Sequence, residues 1–110
     1  MKININQTQN KEWSRMGPRT IFGQFMIDIA KENEKLIVLS ADLGRSSGLD
    51  RFKSMFPKKY LSVGISEQNL IGVASGLSRE GYKVFVTSFA PFLSMRASEH
   101  IRMNLGYMKH

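Results

Sequence analysis

Three short apolar runs at regular spacing constrain the fold of this 110-residue chain more than any other feature. They predict strands over residues 36–39, 60–63 and 83–89, with helical or turn-rich segments between them. The first run consists of Leu and β-branched residues, which is typical of a strand buried on both faces. Helices and strands that alternate in this way predict an α/β fold: a parallel sheet with crossover helices on both faces.

Four segments have the apolar spacing of helices: residues 18–35, 49–55, 66–79 and 92–105. Pro18 suits the first turn of the first of them. Ser66 is expected to cap the N-terminus of the third helix, and Gly81 is expected to end it. Within that helix Gly72 and Gly76 lie four residues apart. The pair permits close approach of another backbone there.

The same pattern predicts how the chain is divided. Residues 1–15 are polar and are expected to form a lead-in, while residues 16–110 are expected to form one domain. After His110 the alternation calls for a further strand, because a three-stranded parallel sheet would leave its edges exposed. We therefore expect a domain that is incomplete at its C-terminal end.

Composition limits the classes of function. Sixteen Lys and Arg against nine Asp and Glu give a net charge of +7, but the basic residues are spread along the chain without interleaved aromatic residues. This distribution favours a solvated basic surface, leaves an anionic small molecule or partner open, and argues against nucleic acid.

Cysteine usage and hydropathy limit the cellular setting. The chain has no cysteine, so disulfides and thiolate metal sites are excluded. Residues 1–10 lack the apolar stretch of a secretory signal, and no run approaches the roughly 20 apolar residues of a membrane span. His100 and His110 have no partner at metal-binding spacing. We expect a cytoplasmic protein that binds neither membrane nor, through this chain, a metal.

One acidic residue and two aromatic residues form the candidate site. Glu67 begins a helix just after a predicted strand. Phe89 ends the next predicted strand and Phe92 follows it, so all three lie at strand–helix junctions of the kind where α/β proteins bind ligands. An acid and two rings suit a flat, nitrogen-containing heterocycle. The alternatives are an acidic residue in a helix first turn, which the helix dipole favours, and two core aromatic residues. Asp42 also follows a strand, where either ligand binding or turn formation explains an aspartate.

Two longer runs carry a family resemblance: GISEQNLIGVASGL over residues 64–77 and SFAPFLSMRASEHIR over residues 88–102. With Pro18-Arg19-Thr20 upstream, residues 16–109 resemble the pyrimidine-binding domain of transketolase. More narrowly, they are similar to the separate C-terminal subunit of split transketolases. 1-Deoxyxylulose-5-phosphate synthase and the beta chains of 2-oxo acid dehydrogenases share this fold and glutamate. The spacing from Asp42 to Glu67 and the SFAPF motif favour transketolase.

The resemblance implies a thiamine diphosphate site shared with a partner domain. Glu67 would act as the catalytic residue by hydrogen-bonding the N1′ nitrogen of the aminopyrimidine and so activating the cofactor. A carboxyl group facing that nitrogen in a dry pocket is expected to have a raised pKa. The aromatic pair would pack against the ring. The cofactor-binding residues implied by the match are Asp42, Leu43, Ile65, Phe89 and Phe92.

The resemblance also implies substrate contacts and a partner. Arg19 and Ser46 match positions that contact the phosphate of a sugar substrate, for which the planar fork of arginine is suited. The loop that holds the diphosphate through a divalent metal such as Mg²⁺ is not found in this chain. It would belong to the N-terminal transketolase subunit, in a homo- or hetero-oligomer, so this chain alone should be inactive.

Two departures from the family pattern lie on the last predicted helix. His100 stands where related subunits commonly carry glutamine. Met95 occupies a position where other members have a ring or a cation near the pyrimidine. Both substitutions change what that helix can offer to a bound ring.

The sequence therefore predicts that the chain is one part of a transketolase. The chain would contribute the pyrimidine side of a site that moves a two-carbon ketol unit between phosphorylated sugars. Two alternatives stay open at this point: a non-catalytic transketolase-like interaction module, and the corresponding part of 1-deoxyxylulose-5-phosphate synthase.

Overall fold

The computed structural model describes residues 6–109, and its helices and strands alternate as the sequence predicts. Residues 1–5 of the predicted lead-in, and His110, lie outside the described residues. The helices are α1 Gln7–Trp13, α2 Pro18–Glu32, α3 Asp50–Met55, α4 Glu67–Arg79 and α5 Ser98–Ile101. The strands are β1 Leu36–Ser40, β2 Tyr60–Ser62 and β3 Lys83–Thr87. A 3₁₀ turn, Pro57–Lys59, precedes β2, and π-helical turns, Phe92–Arg96 and Arg102–Tyr107, flank α5.

The three strands form one parallel sheet in the order β2-β1-β3. Val38 in the central strand lies opposite Tyr60 on one side and Phe85 on the other. The prediction of a parallel α/β fold is therefore confirmed. β3 ends two residues before the predicted end, because the amides of Phe92 and Leu93 both bond to the Phe89 carbonyl and turn the chain into a helix.

Helices cover both faces of the sheet, as predicted. Leu36 and Val38 point to one face and pack in a core with residues of α2 and α3, including the fully buried Phe52. Leu39 points to the other face and packs against Leu70 of α4. This division follows from the period of two along a strand, which sends successive side chains to opposite faces.

Residues 7–13 of the polar lead-in form helix α1. Asn6 and Gln9 make a reciprocal capping box, with bonds of 2.8 and 3.1 Å between each side chain and the other residue's backbone amide. Trp13 then packs edge-on against Phe25 of α2, with ring centroids 6.5 Å apart. The spacing Asn6-x-x-Gln9 is a helix-start signal, and it accounts for a helix that a reading of polarity alone passes over.

The two ends of α4 differ in how well the sequence predicts them. Gly81, at φ 83°, ends the helix: its amide bonds to the Ser78 carbonyl, and the Tyr82 amide bonds to the Leu77 carbonyl, which is a Schellman motif. The prediction that Ser66 caps the other end through its side chain is wrong. The Ser66 hydroxyl donates instead to the Val63 carbonyl at 3.0 Å.

The predicted last helix over residues 92–105 is interrupted. The Ala97 amide bonds to the Phe92 carbonyl, five residues back, at 3.1 Å, which makes the first turn π-helical. A second π-helical turn follows α5. Within residues 6–109, none of the helices has the length and apolar character that crossing a membrane requires.

Close backbone approach occurs at a glycine that spacing does not indicate. A side chain on Gly23 of α2 would collide with the carbonyl oxygen of Gly48, which itself adopts φ 75°. Among residues 6–109, no atom outside the adjacent residues and the helix's own backbone lies within 4 Å of the Cβ position at Gly72 or at Gly76, so the close approach that their spacing permits is not used there. The Gly23–Gly48 contact presses the loop after β1 onto the start of α2.

Alanine substitution at two helical glycines should therefore have opposite effects. Gly23→Ala should lower the free energy of unfolding by about 1–3 kcal/mol, because the Gly48 carbonyl must move. Gly72→Ala should raise it by about 0.5–1 kcal/mol, because an open helical position gains only the lower backbone entropy of alanine. Urea denaturation of the two variants beside the wild type measures both effects, and equal effects of the two substitutions would contradict the packing described for Gly23.

Candidate functional site

The candidate site lies at the carboxyl edge of the sheet, where all three strands end. The loops that leave this edge carry Asp42 after β1, Gly64 to Ser66 after β2, and Ser88 after β3. Because the strands are parallel, these loops meet on one side of the sheet. Gly64, at φ 76°, turns the chain from β2 into α4 and places Glu67 in the first turn of that helix.

Glu67 is the most deeply buried acidic side chain among the described residues, with 2% of its surface exposed. Its two carboxylate oxygens have different partners. The Ser88 hydroxyl donates to Oε1 at 3.2 Å, and Nη1 of Arg96 donates to Oε2 at 3.1 Å. A buried charge needs such compensation, because removing it from water is otherwise costly.

Arg96 joins the carboxylate to the aromatic residues. Its guanidinium carbon lies 4.2 Å from the centroid of the Phe92 ring, a cation–π distance. The Gln68 side-chain amide donates to the backbone carbonyl of Arg96 at 3.2 Å and ties this turn to α4. Phe89 meets Phe92 edge to face, with centroids 6.0 Å apart.

The surroundings of Glu67 lower its pKa from the ordinary value of 4.5. The main cause is a hydrogen bond from its own backbone amide; burial acts in the opposite direction, and the Ser88 hydroxyl and the Arg96 guanidinium add to the lowering. The expectation of a raised pKa is therefore wrong for this chain by itself. Burial does oppose ionisation as expected, but the hydrogen-bond donors around the carboxylate outweigh it.

The other predicted cofactor residues lie on neighbouring loops. Asp42 is exposed and has φ 59°, a left-handed conformation that aspartate tolerates better than most residues, so it shapes the turn after β1. The Leu43 amide bonds to the buried Ser40 hydroxyl at 2.9 Å, which fixes the same turn. Ile65 is 77% exposed and presents a large apolar side chain at this edge.

Arg19, a predicted phosphate contact, lies at the start of α2 between two clefts. A cleft of about 320 Å³ brings it beside Ser47 and Ser88 at the carboxyl edge of the sheet. A second cleft, of about 470 Å³, brings it beside Arg45 and Arg51. Ser46 is exposed and lines neither cleft, whereas Arg45 and Ser47 on either side of it each line one of them.

Arg96 thus links Glu67 to Phe92, which contacts Phe89, and Ser88 joins the same group; the cofactor role of these residues stays a prediction. Sequence reasoning passed over both Ser88 and Arg96. Ser88 directly precedes Phe89, and Arg96 follows Phe92 by four residues, the spacing that puts two side chains on one face of a helix. That spacing was the available signal for Arg96.

Met95 and His100, the two residues that depart from the family pattern, differ in how far they are buried. Met95 is 75% exposed, so its side chain does not close over the aromatic pair. His100 is half-buried, and its Nδ1 atom is buried without a hydrogen-bond partner in the described part of the chain. Among residues 6–109 there is no cluster of three or more His, Asp and Glu that could hold a metal ion.

The lowered pKa of Glu67 predicts a pH dependence of stability. A carboxyl group whose pKa is lower in the folded chain contributes stability above its unfolded value of 4.5, and this contribution is lost as the pH falls through the folded-state pKa. Glu67→Gln should therefore flatten the fall of the unfolding free energy below pH 4.5, and Ser88→Ala should make that fall smaller, because the folded-state pKa of Glu67 then lies closer to 4.5. Urea denaturation between about pH 6 and pH 3 tests both variants. A Glu67→Gln curve parallel to that of the wild type would contradict the assignment.

Sequence comparison places this site in a known family. Residues 15–110 match the profile of the family described as "Transketolase, pyrimidine binding domain". A transketolase C-terminal section of Methanocaldococcus jannaschii is 42% identical over 93 residues, covering 84% of this chain and 29% of that protein. A 6-deoxy-6-sulfo-D-fructose transketolase subunit of a Clostridium species is 32% identical over 89 residues, covering 81% of this chain and 28% of that protein.

The chain is also similar to a 1-deoxy-D-xylulose-5-phosphate synthase and to a solved transketolase structure. The 1-deoxy-D-xylulose-5-phosphate synthase of Bordetella petrii is 36% identical over 85 residues, which cover 77% of this chain and 14% of that enzyme. A structure titled "Split gene transketolase, inactive beta4 tetramer" superposes with a TM-score of 0.71 at 42% identity, covering 78% of this chain and 29% of that one. The chain therefore spans less than a third of each relative's length.

These matches favour the transketolase reading over both alternatives left open by the sequence. The profile covers almost the whole chain, and the relatives with C-terminal-section and subunit names align along most of it. The superposition supports the parallel α/β fold independently of any single motif. The chain belongs to the transketolase pyrimidine-binding domain family.

Proposed function

We propose that this chain contributes the aminopyrimidine side of a thiamine diphosphate site in a split transketolase. Family membership implies dependence on this cofactor. The observation that carries the proposal is the buried Glu67 carboxylate, 2% exposed, which Arg96 links to the Phe92 ring at the carboxyl edge of the sheet. A carboxylate that can share a proton and a ring that can stack match the two things a flat nitrogen heterocycle requires.

Each residue of the group has a distinct role in this proposal. Glu67 faces a ring nitrogen and holds or shares a proton at its carboxylate. Ser88 donates to Oε1 at 3.2 Å and so fixes the orientation of that carboxylate. Phe89 and Phe92 supply an apolar wall that keeps water from the ring. Thiamine diphosphate, when bound, supplies a carbon that can carry negative charge, which is the chemistry that ketol transfer needs.

The rest of the site belongs to a partner in this proposal. The diphosphate and Mg²⁺ site would lie on an N-terminal subunit. Ile65, at 77% exposure, and the half-exposed Phe89 are apolar side chains that such a partner would cover. We propose an oligomer of the two subunits as the active form and expect no activity from this chain alone. The predicted cytoplasmic location stays a prediction.

Phosphorylated sugars are the proposed substrates. Arg19 lines a cleft with Ser47 and Ser88, so a phosphate bound there would lie at the same sheet edge as the hydroxyl that contacts Glu67. Arg45 and Arg51 increase the positive charge on the other side of Arg19. Ser46, the other predicted phosphate contact, lies between Arg45 and Ser47 in the loop after β1.

Removing the Glu67 carboxylate should abolish most of the activity. In the full-length C-terminal subunit assembled with its N-terminal partner, Glu67→Ala should lower the rate of ketol transfer by about 10²–10⁴-fold, the range of a general acid or base. Glu99→Gln is the control, because Glu99 is exposed and pairs with Arg102 rather than with the site. Unchanged ketol transfer and cofactor affinity in Glu67→Ala would overturn the proposed role.

Removing Arg19 should affect the substrate rather than the cofactor. Arg19→Met should raise KM for a phosphorylated sugar by about 10–100-fold, the value of a hydrogen bond to a charged group, with little change in thiamine diphosphate affinity. The same variant should show a smaller effect with an unphosphorylated sugar. A parallel rise in KM for both sugars would contradict phosphate binding by Arg19.

A further inference from the structure

We propose that Arg96 occupies the position of the heterocycle in the ligand-free chain and must leave Glu67 before the heterocycle binds. This inference rests on the proposed function, because it takes the Glu67–Phe92 group as the pyrimidine site. Arg96 thereby sets the apparent affinity of the site for the cofactor.

The guanidinium of Arg96 already makes the two contacts expected of the heterocycle. It is a flat, nitrogen-containing cation, and Nη1 donates to Oε2 of Glu67 at 3.1 Å. Its carbon lies 4.2 Å from the centroid of the Phe92 ring, so it lies against the face on which a heterocycle would stack. Two planar groups cannot share one ring face and one carboxylate oxygen. The arginine and the ligand therefore exclude one another.

The exchange needs only a side-chain movement. The side chain of Arg96 is 51% exposed, so it can leave toward solvent, whereas the Glu67 side chain is 2% exposed and stays in place. The backbone of this turn is held independently: the Ala97 amide bonds to the Phe92 carbonyl at 3.1 Å, and Gln68 bonds to the Arg96 carbonyl at 3.2 Å. Rotation about the arginine side-chain bonds thus opens the site while the helix keeps its position.

The competition lowers the apparent affinity of the ligand. A ligand that binds only the open form has an affinity reduced by the fraction of chains in which Arg96 is away. A partly exposed ion pair such as Arg96–Glu67 lowers the apparent ligand affinity by a factor of up to about five, and the contact of Arg96 with the Phe92 ring lowers it further. Replacing Arg96 by methionine removes both contacts and leaves Ser88 as a donor to the carboxylate. Ligand affinity should then rise by about three- to tenfold.

Arg102 provides a matched control. It also pairs with a glutamate on this helical segment, Glu99, at 2.6 Å, but both partners are more than 60% exposed. Arg102→Met removes the same charge and one ion pair without touching Glu67. Arg96→Lys is the second variant, because it keeps the charge that compensates Glu67 while losing the planar group on Phe92.

The test compares the wild type, Arg96→Met, Arg96→Lys and Arg102→Met in the full chain. Two probes are titrated into each protein and followed by NMR: thiamine diphosphate with Mg²⁺, and 4-amino-5-hydroxymethyl-2-methylpyrimidine. Arginine side-chain signals report the release of Arg96, and the carboxyl carbon signal of Glu67, followed against pH without ligand, reports the ion pair.

The expected result has three parts. Arg96→Met binds both probes about three- to tenfold more tightly than the wild type and than Arg102→Met. In the wild type the Arg96 signals move to those of a free arginine as the probe binds. Without ligand, the Glu67 titration moves to higher pH in Arg96→Met and stays in place in Arg102→Met.

Two results would overturn the inference while leaving the proposed function intact: Arg96→Met and the wild type binding equally, or Arg96→Met binding more weakly. An unchanged Glu67 titration in Arg96→Met would overturn it as well, since the ion pair would then not form in solution. If none of the four proteins binds either probe, the inference fails, whereas the proposed function is judged separately by ketol transfer in the assembled subunits.

Discussion

The central strand β1 is the constraint on which the rest of the structure depends. Both other strands hydrogen-bond to it, and its side chains alternate between a core with α2 and α3 and a core with α4. Because both pairings are parallel, the carboxyl ends of all three strands lie at one edge. The loops after β1, β2 and β3 must then leave the sheet at this edge, so Ser88 comes within hydrogen-bond reach of Glu67 although 21 residues separate them.

The buried carboxylate of Glu67 depends on that alignment. Ser88 reaches it from the end of β3, 21 residues along the chain, and Arg96 reaches it from 29 residues away. An ionised group at this depth would be strongly unfavourable without both donors and its own amide. The site thus combines a local element, the first turn of α4, with two long-range contacts from Ser88 and Arg96. Only the parallel sheet brings those two residues within reach of Glu67.

The sequence predicts the elements well because their signals are local. Apolar runs place the strands, Gly81 ends α4 in the expected way, and Glu67 opens the helix as expected. What it predicts poorly depends on the direction of single side chains. Ser66 turns its hydroxyl to Val63 instead of its own helix, and Gly23 rather than Gly72 meets a backbone. Glycine spacing says only that approach is possible, whereas the position of the loop after β1 decides where it occurs. The contact of Arg96 is equally hard to predict, because its partner, Glu67, lies on another helix.

The lowered pKa of Glu67 connects the structure of the site to its proposed chemistry. Catalytic use of the carboxyl group favours a raised pKa, so that a proton can be shared with a ring nitrogen near neutral pH. The ligand-free chain has the opposite arrangement, because a cation, a hydroxyl and a backbone amide all favour the ionised form. Displacing Arg96 removes its charge and one donor together, while a ring that covers the site also removes water. Both changes raise the pKa of Glu67. Binding of the heterocycle would therefore itself bring the carboxyl group toward the protonation state that its proposed role requires, and no further movement of the backbone is needed.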